Sequence, residues 1–213
     1  MPYSTASMVE LWGQFNKSSF PVRPSSLDYD AALAILIASA DGEINEFCHV
    51  PQGFFEPGGV TIADELYDGR LLPSGAKKPL TPNLMPILDV SKLEYSDGVT
   101  WTTMTEGILA DYVFTEDYIV LVNHPDITTY RNIRLNYVAG YDSTPENVAT
   151  VSAILSAATV QQITDAADRH SLQSGGIGSA PTSFSTLTKL AFTDDLKTML
   201  QKYRLDQVKV YRR

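Results

Sequence analysis

Apolar positions recur at helical spacing towards both ends of the chain and at strand spacing between them. Near the start, Met8, Leu11, Trp12 and Phe15 fall at i, i+3, i+4 and i+7, one face of a helix. Ser7 and Glu10 stand at capping-box spacing, so a helix is predicted from Ser4 or Ser7 to about Asn16. Pro21 and Pro24 break the chain after it. A second helix is predicted from Ser25 or Ser26, with Asp28 and Asp30 in its first turn, where the helix dipole favours anions. Its buried stripe is Leu33, Ile37, Ala40, Ile44 and Phe47. Val50–Pro51 ends it, because the residue before a proline resists the α region.

From Gln52 to about Val138 the period shortens. Alternating runs at 61–67, 87–95, 99–104, 118–122 and 133–138 predict strands, with Asp68–Gly69 and Asp97–Gly98 as turn dipeptides. The proline-rich stretch 71–86 is predicted as a loop. A long helix follows: Thr144 can cap it, Pro145 suits its first position, and Val148, Val151, Leu155 and Ala158 form its apolar face as far as about Asp168. Residues 171–183 are rich in serine and glycine and read as a flexible connector. A last helix is predicted from Thr193, with Asp194 and Asp195 at its start and Leu196, Met199, Leu200 and Tyr203 on its buried face. The expected fold class is α+β: a helical core of two long helices plus short terminal helices, a small antiparallel β-subdomain inserted into it, and an extended C-terminal arm. One domain over 1–213 is expected, divided into N-terminal helices (1–51), a β-rich insertion (52–140), a long core helix (141–170), a flexible loop (171–190) and a C-terminal helix with its docking arm (191–213).

With 213 residues, 44% of them hydrophobic, the chain is long enough to bury a core without disulfides. Its single cysteine, Cys48, cannot form an internal one. No apolar run approaches the length of a membrane span, and residues 1–20 do not read as a secretion signal, so a protein made in a cytosol is expected. Charge is unevenly placed. The whole chain carries −9, but residues 196–213 alone carry +5, leaving −14 on residues 1–195. An acidic body argues against tight, phosphate-neutralising binding of DNA. A basic tail on such a body reads as a docking arm or as a solvated terminus.

Candidate chemistry is sparse. Cys48–His49 could suggest a nucleophile and its base, but neighbours at a helix end point in different directions, and a free cysteine most often packs as a small hydrophobe. His49, His124 and His170 have no metal-ligand spacing, and His124 with Asp126 flanks Pro125 in a turn-like sequence. Gly175–Gly176–Ile177–Gly178–Ser179 lacks the Gly-Lys-Ser/Thr ending of a phosphate loop. Glu43 and Glu46 share a helix face, and a solvated face is the simpler reading of the pair. No catalytic, cofactor or metal residue is assigned, and the chain is not expected to be an enzyme.

The order of the elements carries more. The helix Ala31 to Cys48 precedes a β insertion containing Leu66-Tyr-Asp-Gly69 and Leu84-Met-Pro-Ile-Leu-Asp-Val90. Ile133-Arg-Leu-Asn-Tyr-Val-Ala-Gly-Tyr141 then leads into the helix opened by Pro145, and Phe192 to Arg204 gives a short helix ending in Tyr-Arg. This succession, over about residues 27–205, resembles the head-to-tail connector (adaptor, or head-completion) family of tailed bacteriophages. The longer regions 53–83 and 171–190 depart from the minimal pattern.

That resemblance implies a structural virion protein of the phage neck, located at the head–tail interface and made in the host cytoplasm. It implies a homo-oligomeric ring, a dodecamer, that joins the portal protein to the tail or to a stopper or tail-completion protein. Genomic DNA would pass through without specific binding, and no cofactor or membrane is implied. The helices at 27–50 and 144–168 would form each subunit's core. Tyr203, Arg204, Lys209, Tyr211, Arg212 and Arg213 would dock on the portal, since Tyr and Arg often dominate interface energies. Asp41, Glu43 and Glu46 are candidate lining residues of a phosphate-repelling channel, with ordinary surface acidity as the other reading. Another neck protein, a tail-completion or stopper protein, is the alternative, and an enzyme of unknown class a more distant one.

Overall fold

The computed structural model describes residues 2–18, 28–69, 78–122, 132–172 and 192–205. The chain divides into a helical unit, Met1–Gln52 with Thr144–Arg213, and a β unit, Gly53–Ser143.

The helical unit contains α1 (Ala6–Gly13), α2 (Tyr29–Cys48), α3 (Glu146–Leu172) and α4 (Asp194–Leu200), the last continued by a 3-10 turn, Gln201–Tyr203. The first two starts are each set by a polar residue able to stand outside the helix. Thr5 accepts a hydrogen bond from the Met8 amide at the start of α1, and Asp28 accepts one from the Ala31 amide, 2.7 Å, at the start of α2. Thus Thr5 caps α1 where Ser7 was predicted, and Asp28 caps α2 three residues beyond Ser25. Helix α3 runs through the middle of the unit, and α1, α2 and α4 all pack on it. The small residues Ala153 and Ala157 let α1 and α2 approach closely, where they bury Val9, Leu33 and Ile37. Leu36 and Ala32 meet Val160 one turn further along.

The apolar stripe of α1 differs from the predicted one. Val9 is the fully buried position, with Met8 and Phe15 packed beside it, while Leu11 and Trp12 stand 77% and 52% exposed. The i, i+3, i+4, i+7 pattern was satisfied by a face that the short helix does not bury, because Val9 fits the groove against Ala157.

The β unit corrects the expected fold class. In place of a small β-subdomain set into a core of two long helices, the chain is mixed, with two antiparallel sheets comprising seven strands among the described residues. One sheet has the order β1-β7-β3-β4 and the other β2-β6-β5. The strands are β1 (Val60–Tyr67), β2 (Lys78–Leu80), β3 (Ile87–Ser96), β4 (Trp101–Thr103), β5 (Tyr112–Phe114), β6 (Ile119–Leu121) and β7 (Ile133–Ala139). They enclose a core of their own: Phe54, Phe55, Leu80, Ile87, Leu93, Ile119, Leu121, Ile133, Leu135 and Tyr137 are essentially inaccessible. Two strands were missed. Strand β2 falls inside the predicted loop and carries Pro79, tolerated because β2 is the edge of its sheet. Strand β5 is three residues long, too short for alternation to register.

Strand β7 alternates strictly, burying Ile133, Leu135, Tyr137 and Ala139. It ends at Gly140, whose φ of +133° and close approach to the Phe54 carbonyl leave no room for a Cβ. The expected turn at Asp97–Gly98 is present, with the Asp97 carboxylate accepting from the amides of Val99 and Thr100, each at 2.8 Å. Most of the proposed connector at 171–190 lies outside the described residues, as do Gly175 to Ser179, the turn at His124 to Asp126, Pro21 to Ser26, and the arm from residue 206 onward. Among the described residues no helix is long and apolar enough to cross a membrane.

Candidate interaction surfaces

The last described turn of the chain is fastened to the end of α2. Helix α2 stops at His49, in the left-handed region with φ +58°. Its C-terminal carbonyls need partners from outside the helix. The Leu205 amide supplies one, donating to the Cys48 carbonyl at 3.0 Å. The Arg204 guanidinium lies over the Phe47 ring, 5.6 Å from its centroid, with Nη2 3.4 Å from His49 Nε2. Phe47 in turn meets Phe192 edge to face at 5.5 Å. A cation at a helix C-terminus also complements the dipole. Of the predicted docking residues, Tyr203 is therefore half-buried in the 3-10 turn, and Arg204 serves as an anchor within the subunit while remaining exposed. Lys209, Tyr211, Arg212 and Arg213 lie outside the described residues.

The same helix end separates Cys48 from His49. Cys48 is fully buried, whereas His49 is exposed. Burial pushes the Cys48 thiol up to about 12, with Arg204 pulling weakly the other way. A thiol so placed is a packing group rather than a nucleophile.

The three carboxylates proposed for a channel wall part company. Asp41 is buried inside the helical unit: its Oδ2 accepts from the Tyr3 amide at 3.0 Å and its Oδ1 from the Ser152 hydroxyl at 2.6 Å. Tyr3 OH donates to Asn45 Oδ1 at 2.7 Å, and the hydroxyls of Ser4 and Ser152 are 3.0 Å apart. Asp41 thus ties the N-terminal segment to α2 and α3, and its burial removes it from the candidate lining residues. Glu43 is half-buried and Glu46 exposed. The acidity of the body is shared evenly between the units: residues 53–143 carry thirteen acids against six bases, a net −7, and the remaining residues of 1–195 carry another −7.

On the larger sheet a row of side chains crosses β1, β7, β3 and β4: Leu66, Arg134, Glu94 and Thr103 occupy paired positions. Arg134 donates to Glu94 through Nε at 2.7 Å and lies 2.6 Å from it through Nη2, while Lys92 Nζ lies 2.7 Å from the other carboxylate oxygen. The Trp101 ring covers the guanidinium at 4.5 Å. The Lys92 contact and then Arg134 hold the Glu94 carboxyl below its usual range, although its burial opposes them. At the adjacent position on β1, Glu65 accepts from the Asn83 side chain, and the Leu84 amide donates to Tyr137 OH at 3.2 Å. Burial first, and Glu65 second, raise the hydroxyls of Tyr67 and Tyr137 far above the ordinary phenol value. Both clusters lock strands together.

A surface that the sequence did not reveal is the loop between β4 and β5. The Thr105 amide donates to the Asp111 carboxylate at 2.7 Å, the Asp111 amide to the Thr105 carbonyl at 2.9 Å, and the Gly107 amide to the Tyr112 carbonyl at 2.7 Å. The Ala110 amide closes the tip on the Gly107 carbonyl at 3.0 Å. On this braced frame Ile108 and Leu109 stand 80% and 93% exposed. A two-residue apolar run is invisible to periodicity, and only the hydrogen-bonded frame shows that it is held outward. Among the described residues no cluster of histidine, cysteine and carboxylate side chains is suited to hold a metal ion. No family model matches the chain, and no curated protein matches it.

Proposed function

We propose that this protein is a structural subunit of a tailed-phage neck, an adaptor that assembles as a ring between portal and tail. The observation that carries this reading is the anchored C-terminus. Arg204 and Leu205 fasten the chain to the end of α2, so the strongly basic residues that follow start from a fixed point on the subunit. A basic segment with one tyrosine would reach a partner of opposite charge from that point, and Lys209, Tyr211, Arg212 and Arg213 are its contacts. The acidic β unit supports the second half of the reading, a conduit that repels phosphate; Glu43 and Glu46 stay as surface candidates for it. Tight binding of DNA to the assembled protein at low salt would overturn the conduit role.

The anchor also refines the test. Deleting residues 203–213 would remove Arg204 and Leu205 from the fold, whereas deleting 206–213 leaves both in place. The shorter deletion is expected to fold as the parent does and to lose docking on portal-bearing heads. Retained docking would remove the arm from the account, and docking on tails instead of portals would favour a tail-completion or stopper protein.

A further inference from the structure

We draw no further inference here: the strongest candidate, the exposed apolar tip Ile108–Leu109 of the loop between β4 and β5, carries nothing because nothing among the described residues shows what covers it.

Discussion

Replacing Asp41 with alanine removes the buried carboxylate that joins the N-terminal segment to α2 and α3. Two hydrogen bonds disappear, from the Tyr3 amide at 3.0 Å and from the Ser152 hydroxyl at 2.6 Å. A hydrogen bond to a charged group contributes about 1.5–3 kcal/mol, so the pair contributes about 3–6 kcal/mol. Two effects reduce the observed loss. The variant no longer desolvates a carboxylate, and Ser152 keeps the Ser4 hydroxyl at 3.0 Å. The expected destabilisation is therefore about 3 kcal/mol for Asp41→Ala, and about 1–2 kcal/mol for Asp41→Asn, which keeps one acceptor. Urea unfolding followed by far-ultraviolet circular dichroism measures both. A cycle with Ser152→Ala should return a coupling of at least about 1 kcal/mol, because the two side chains share one bond. A loss within about 0.5 kcal/mol of the parent for Asp41→Ala, the range of an ordinary surface change, would refute the assignment of Asp41 to the interior network.

Other outcomes follow from the β unit and from the end of α2. Glu94 has a depressed folded pKa, so it contributes stability that is present above the ordinary carboxylate range and is lost as pH falls through the folded value. Glu94→Gln should cost about 2 kcal/mol at neutral pH, by breaking the contacts to Lys92 and Arg134, and the difference from the parent should shrink on acidification. A gap that persists unchanged in acid would contradict that origin. The Cys48 thiol, buried and raised to about 12, should ignore a thiol reagent in the folded protein and react fully in denaturant. Prompt labelling of the native chain would show the end of α2 to be open. A Cβ at Gly140 would overlap the Phe54 carbonyl, so Gly140→Ala should lower the unfolding midpoint, and an unchanged midpoint would contradict the close approach.

Much of the helix and strand layout is legible in the chain, for a physical reason that also marks the limit. Thr144, Pro145 and Glu146 announce the start of α3, and Leu33, Ile37, Ala40 and Ile44 are all buried as their spacing requires. Such signals are local: a cap, a fixed φ, a repeating face. The architecture is not local. Strand β2 gains its partner from residues some forty positions away, β5 is only three residues long, and no periodicity within either announces a second sheet. For the same reason Leu11 and Trp12 were placed inside, since a short helix can turn either of two apolar sides towards its neighbour, and only the shape of α3 decides. Among the candidate site residues, composition identified the basic arm but could not reveal that Arg204 is spent on the end of α2. Asp41 has the residue type of a surface acid, and only the Tyr3 amide and Ser152, thirty-eight and one hundred and eleven positions away, make it an interior one.

The most direct test of the adaptor account is negative-stain imaging of the purified protein mixed with DNA-filled, portal-bearing heads that lack tails. The account predicts a ring of added density at the portal vertex with the full chain and none with residues 206–213 deleted. A bare vertex with the folded full-length chain would contradict it.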